Sequence, residues 1–409
     1  MADRDDPVDL TRRRFLVDVA AVGGAAAVCP LLAGPALAQN RTRPAASRPT
    51  ATSMPRAFKG NVSNHEAMFY EKLPERIVRC GLCPRRCRIA DAQRGWCGVR
   101  MNRGGIFRTL VYGKIVSAHV DPIEKKPMYH YLPGTPALSV ATAGCNFECK
   151  FCQNWEISQA RPEKIPAVDL PPARLVEIAK TRKVPTLAFT YNEPIVFYEY
   201  MHDAAKRARA AGVGSVMISN GYIEAKPLRR LCQHLTGVKV DFKAFSEAFY
   251  RDVCQGRLKE VLETLLLIRK IGIHLELVVL VIPTLNDSEK ELTGMAKWIV
   301  KNLGPDVPLH FSRFTPQYRL KNLPRTPVKT LQRARAIARA AGVHYVYIGN
   351  VPLHQAGHTY CHKCNTVLIR RIGYLVRENH ITKKGTCPKC GTAIPGVWSA
   401  KQALATRKG

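Results

Sequence analysis

The chain has 409 residues and a formal net charge of +32, from 63 Lys and Arg against 31 Asp and Glu. The length admits one large domain with appendages or two domains. The charge would attract anything anionic, whether nucleic acid, an acidic protein or membrane headgroups, but the basic residues are scattered, as in an ordinary solvated basic surface. Fourteen cysteines are too few, per length, for a disulfide scaffold and too many for an unremarkable cytosolic enzyme. Eleven of them fall into three groups, Cys80/83/87/97, Cys145/149/152 and Cys361/364/387/390, built mostly on gaps of two and three residues, while Cys29, Cys232 and Cys254 stand alone. Clustering of this kind is metal-ligand usage.

The first stretch reads as targeting rather than fold. Thr11-Arg12-Arg13-Arg14-Phe15-Leu16 fits a twin-arginine signal, and an apolar Ala/Gly-rich run follows from Val17 to Ala38, with small residues at Ala36–Ala38 for cleavage. Gly, Pro and Asp18 interrupt that run, which argues against a membrane span. Cys29 is read as a passenger of the signal. Residues 39–63 form a Pro/Ser/Thr-rich linker. The expected location is therefore outside the cytoplasmic membrane, in the periplasm or on the outer face, with the cytoplasm as the alternative. A cysteine-rich segment at 64–130 then carries Cys80-x2-Cys83-x3-Cys87-x9-Cys97. Four thiolates in eighteen residues suit either a zinc site or a second, fully ligated iron–sulfur cluster, and the flanking Arg85-Arg86 pair would offset the charge of both.

From about 131 to 352 the pattern alternates strand and helix. Strands are expected at 138–143, 186–190, 215–219, 237–242, 275–282, 308–314 and 344–348, with helices at 173–183, 195–212, 258–272, 288–304 and 330–342. Several of these helices end in Gly, a common stop. This alternation means a parallel sheet, open or closed into a barrel, with its chemistry at the C-terminal ends of the strands. Polar residues sit at those ends: Cys145 after the first strand, Asn192-Glu193 after the second, Ser219-Asn220 after the third, and Asp241 and Lys243 at the fourth.

Cys145-x3-Cys149-x2-Cys152 supplies three thiolates, one short of a structural zinc site. Three thiolates on a four-iron cube leave one iron open for chemistry. S-adenosylmethionine could chelate that iron through its amino and carboxylate groups. One electron from the reduced cluster would then cleave the S–C5′ bond and release a 5′-deoxyadenosyl radical. The competing reading is a zinc loop or unligated thiols; the position straight after the first strand of a βα array favours the cluster.

C-x3-C-x2-C with aromatic Phe151 before the last cysteine resembles the signature of the radical SAM superfamily, whose core is a partial (β/α)6 barrel. "CQNWEIS", "TYNEPIVF", "VDFKAF", "VIPTLNDS", "HFSRFTPQYRL" and "YVYIGNV" resemble the pyruvate formate-lyase activating-enzyme branch. Together with "CGLCPRRCRIADAQRGWCGVR" and the cysteine tail, they are similar to the radical SAM enzymes of the AmmeMemoRadiSam system over residues 64–400. The resemblance implies that Glu193, with Asn192 beside it, accepts a hydrogen bond from the amino group of S-adenosylmethionine. It implies that Asp241 and Lys243 contact the cofactor's ribose and carboxylate end, and that Ser219 and Asn220 line the pocket. A flavodoxin or ferredoxin would supply electrons, and a protein substrate encoded nearby is a further expectation. One position departs from the pattern: Thr315 stands where relatives are expected to carry His.

The tail, 353–409, holds two Cys-x2-Cys knuckles 22 residues apart, Cys361/364 and Cys387/390, around a β-rich middle at 366–376. That is zinc-ribbon spacing. Residues 357–409 carry ten Lys or Arg against the single acid Glu378, a weak pointer to nucleic acid or an acidic partner. The leading expectation is a radical SAM enzyme acting on a protein or small molecule. The alternatives are an RNA- or tRNA-modifying radical SAM enzyme and a non-catalytic metal-binding interaction module.

Overall fold

The computed structural model describes residues 60–405. The twin-arginine segment, Cys29 and the linker up to residue 59 lie outside the described residues. Eight strands form the main sheet, and their spatial order follows the chain. Strand β1 (Ser117–Pro122) pairs antiparallel with β2 (Pro136–Ala141). From there β3 (Thr186–Phe189), β4 (Gly214–Ser219), β5 (Gly237–Asp241), β6 (His274–Val281), β7 (Leu309–Arg313) and β8 (Val346–Gly349) add on in parallel. β1 and β8 are the two edges, so the sheet is open. All seven strands read from the sequence are present. β1 was not foreseen: it lies within the 64–130 stretch yet pairs with the barrel sheet.

Six helices connect the seven parallel strands: α1 (Pro172–Thr181), α2 (Tyr198–Ala210), α3 (Ala225–Cys232), α4 (Leu258–Ile271), α5 (Glu289–Leu303) and α6 (Val328–Ala340). The architecture is thus a partial (β/α)6 barrel. β3 and β4 are buried at every position, as strands covered on both faces must be. α5 begins with a capping signal visible in the sequence: Ser288 Oγ accepts from the Glu291 amide at 3.3 Å. α4 stops at Gly272, whose φ of 74° suits glycine. The sequence reading missed α3, because eight residues with Pro227 inside give little periodic signal. It also began α2 too early: Pro194–Phe197 is a 3-10 turn, entered through Pro194.

Two small sheets make up the cysteine-rich segment. One pairs Tyr70–Lys72, Val78–Cys80 and Arg88–Ile89; the other pairs His65–Glu66, Ile106–Thr109 and Arg100–Arg103. A fully buried ion pair, Arg100 to Glu199 of α2 at 2.9 Å, fastens this segment to the barrel. The tail is a three-stranded ribbon of Thr359–Tyr360, Val367–Ile372 and Leu375–Asn379. Leu368, Ile369 and Ile394 pack against Tyr345 and Tyr347 at β8. His130 Nδ1 lies 2.6 Å from the Pro395 carbonyl, and Arg371 donates to the Tyr129 carbonyl at 2.8 Å. Among the described residues no helix is long and apolar enough to cross a membrane, and no disulfide joins the described cysteines.

Candidate functional site

β2 runs into Gly144, where the chain turns with φ of +92°. A Cβ there would lie 2.6 Å from Val99 Cγ1 and 2.8 Å from the Cys97 carbonyl, so glycine lets the cysteine-rich segment approach the start of the loop. The loop that follows carries Cys145, Cys149 and Cys152. Its backbone is strapped down by Glu148 N–H to the Cys254 carbonyl and Lys150 N–H to the Val253 carbonyl, both at 3.0 Å. Asn146 Nδ2 donates to the Tyr222 carbonyl at 2.9 Å, and Arg85 Nε donates to the Asn146 carbonyl at 2.8 Å. Phe151 is buried, as a shield before the last cysteine would be.

The three thiols face one another closely enough to interact electrostatically. Their sulfurs nevertheless do not all come within 4.8 Å, as ligands of a single ion would. A set of three spread donors suits a larger inorganic core. Cys254, one of the isolated cysteines of the sequence, is part of this site. It sits in a π-helical turn, Tyr250–Cys254, and its thiol donates to Cys149; that hydrogen bond leads the causes that lower the Cys149 thiol. No sequence signal pointed to it, since 105 residues separate the two.

The next strand ends meet at Glu193. Its carboxylate is buried and accepts from Ser219 Oγ at 2.7 Å, the Asn220 amide at 2.7 Å and the Ile195 amide at 3.1 Å. Burial pushes this carboxyl up to about 7 against those three donors, which pull it down. A carboxylate has about four lone-pair sites, so one remains. Asn192 Nδ2 donates to the Gly144 carbonyl at 2.8 Å, while its Oδ1 is buried without a partner. An orphaned acceptor beside the cysteine loop, next to a carboxylate with spare capacity, fits an incoming amino group. Ser219 and Asn220 are committed elsewhere: Ser219 holds Glu193, and Asn220 Nδ2 donates to Asn146 Oδ1 at 2.8 Å.

At the end of β5 burial would raise the Asp241 carboxyl, but Lys239 and Lys243 hold it down at about 2. Lys243 Nζ reaches Asp241 Oδ2 at 3.1 Å, and Lys239, which the sequence reading did not single out, pairs with Oδ1. Burial would lower the Lys243 ammonium, yet Asp241 and the Cys149 thiolate raise it further. Thr315 is exposed in the loop after β7. That loop reaches the cysteine loop through Arg319 N–H to the Lys150 carbonyl at 3.0 Å, and Tyr318 stacks on Trp155 at 5.1 Å.

The other two cysteine groups differ in geometry. The four tail sulfurs all lie within 4.8 Å of one another, with Cys361–Cys390 and Cys364–Cys387 each at 3.6 Å. A tetrahedral ion with bonds of about 2.3 Å needs that spacing. Cys80, Cys83, Cys87 and Cys97 surround a hollow instead. A further group, Asp306, His344 and His362, has the spacing of a metal site, but its histidine rings are stacked parallel 4.1 Å apart and His344 Nδ1 is bound to Asp306 at 2.8 Å.

Residues 139–296, which run from β2 into α5 and contain the cysteine loop and the ends of β3, β4 and β5, match the Radical SAM superfamily. Over 332 residues the chain is 44% identical to the uncharacterised protein MJ0808 of Methanocaldococcus jannaschii, spanning 80% of this chain and 98% of that one. Among solved structures it is similar to a domain of a pyruvate-formate lyase-activating enzyme from Bacteroides vulgatus, at 14% identity and a TM-score of 0.36, covering 40% of this chain and 98% of that one. It is also similar to a radical SAM methyltransferase from Sphaerobacter thermophilus, at 15% identity and a TM-score of 0.43, covering 54% and 68%. With a sheet open at both edges, three spread thiols on its first loop and the family match spanning that loop, the chain belongs to the radical SAM superfamily.

Proposed function

We propose that this protein binds a [4Fe–4S] cluster through Cys145, Cys149 and Cys152 and cleaves S-adenosylmethionine reductively to act, as activating enzymes do, on a protein or small-molecule substrate. When bound, the cluster and S-adenosylmethionine would together supply one-electron, radical chemistry through reductive cleavage of the cofactor. The chain's own residues do the positioning. Asn192 Oδ1 and the remaining lone pair of Glu193 accept from the cofactor's amino group, and Ser219 with the Asn220 amide keeps the Glu193 carboxylate facing the cysteine loop. Asp241 and Lys243 serve the ribose and carboxylate end. Lys243, beside Cys149, also balances the charge of the thiolates.

The observation that carries this reading is the buried, partnerless Asn192 Oδ1 beside the three-thiol loop. In the same reading the tail knuckles hold a structural zinc, a flavodoxin- or ferredoxin-class protein supplies the electron, and residues 11–38 direct export. The test is anaerobic reconstitution with iron and sulfide, reduction with dithionite, and measurement of 5′-deoxyadenosine and methionine. Brown, iron-loaded protein that forms neither product would overturn the proposal, as would colourless protein holding only zinc.

A further inference from the structure

The four cysteines of the N-terminal segment leave the choice between zinc and iron–sulfur open on spacing alone. Their geometry does not. Cys80, Cys83, Cys87 and Cys97 line one pocket, together with Leu82, Trp96 and Phe107. Among the described residues, three or more metal-ligating atoms come within 4.8 Å of one another at the tail knuckles and at Asp306/His344/His362, and not here. Zinc bound by four thiolates at about 2.3 Å draws its sulfurs to roughly 3.8 Å apart, as the tail sulfurs are at 3.6 Å. Four thiols that line one pocket without closing to that distance suit a polynuclear core better than a single ion.

The polar lining points the same way. Arg100 is buried, and its terminal nitrogens are taken by Glu199 at 2.9 and 3.2 Å and by the Met68 carbonyl at 2.8 Å. Its Nε has no partner, although Arg100 lines the cavity. A buried orphan donor is costly unless something accepts from it. The inorganic sulfides and cysteine sulfurs of an iron–sulfur cluster accept such N–H bonds, and hydrogen bonds to sulfur tune its potential. Arg85 supplies a second cation at the rim, stacked 4.1 Å from the Trp96 ring. Apolar Leu82, Phe107, Ile195 and Val196 complete the lining.

We infer that Cys80, Cys83, Cys87 and Cys97 hold a second [4Fe–4S] cluster, with Arg100 Nε donating to one of its sulfurs. Four thiolates leave no iron open, so this cluster passes electrons and does not bind S-adenosylmethionine. It lies against the three-thiol loop: Asn146 lines its cavity, and the Cys97 carbonyl and Val99 press on Gly144.

The experiment uses the full chain, reconstituted anaerobically, and a variant with Cys145, Cys149 and Cys152 all changed to Ala, which leaves the N-terminal site intact. The wild type is expected to hold about eight irons and one zinc, and the triple variant about four irons and one zinc. The reduced triple variant should give an electron paramagnetic resonance signal that added S-adenosylmethionine does not change. A wild type with about four irons and two zincs, and an iron-free triple variant, would overturn the inference while leaving the proposed function standing. If instead the proposed catalytic cluster is the one missing, wild type and triple variant carry the same four irons. Cys83→Ala with Cys97→Ala should remove about four irons from the wild type; loss of zinc with iron unchanged would also refute the second cluster.

Discussion

The pH dependence of cofactor binding isolates the role given to Glu193. Burial places its carboxyl at about 7 before any ligand arrives. Accepting a charge-assisted hydrogen bond worth about 1.5–3 kcal/mol would lower it by roughly one to two units in the complex. Binding then releases a proton from Glu193 on the acid side of 7. On these figures the affinity for S-adenosylmethionine rises about five- to ninefold between pH 6 and pH 8 through this group alone. The cofactor's amino group, with an ordinary value near ~7.7–8.0, adds a slope of its own because it must be neutral to bind iron. Glu193→Gln keeps the shape and one acceptor oxygen but cannot ionise, so it retains only the amino-group slope. The assay is a titration of S-adenosylmethionine into reconstituted wild type and Glu193→Gln at both pH values, with iron measured in every sample. Equal slopes in the two proteins at equal iron content would refute the reasoning and leave Glu193 a structural residue. The same group affects stability with a definite sign. Raised above its unfolded value, Glu193 favours the fold fully below about 4.5, and that contribution fades as pH rises through about 7. The Gln variant should lose less stability than wild type across that window in a denaturant titration.

Single changes of Cys145, Cys149 or Cys152 to Ala should abolish 5′-deoxyadenosine formation, each removing one corner ligand; undiminished product from any of them would remove that cysteine from the cluster. Cys361→Ser or Cys390→Ser should release zinc and lower the melting temperature while iron at the barrel is retained, checked by metal analysis and calorimetry. Asp241→Asn leaves Lys239 buried without its carboxylate, at a cost on the order of 2–3 kcal/mol, below the ~3–5 of a fully enclosed pair because Asp241 keeps one side open. A denaturation midpoint unchanged by that substitution would show the pair to be dispensable.

Local patterns were legible because they need no knowledge of the fold. The strand and helix periods of 137–350 come from apolar residues that must face one core, and all seven strands appear where those runs lie. α3 escaped because a short helix with an internal Pro carries no clear period, and β1 because two- to six-residue strands around the cysteine-rich segment resemble loops in sequence. Of the candidate site, the cysteine loop and the strand-end residues Asn192, Glu193 and Asp241 could be named from position alone. Their partners could not be.

By itself the sequence determined which side chains can bind metal and at which end of the sheet they stand, since ligand spacing within a loop and position after a strand are local properties. Tertiary structure decided what those residues face. Parallel pairing of β3 with β4 brings Ser219 and the Asn220 amide onto Glu193, which sets its protonation. The π-helical turn carries Cys254 to Cys149. Two four-cysteine sets with similar two-residue gaps fold into a closed knot of sulfurs in one case and a ring around a hollow in the other. The distance between sulfurs is fixed by how the flanking backbone is held against the barrel, and residue spacing places no limit on that once the loop is long enough to turn.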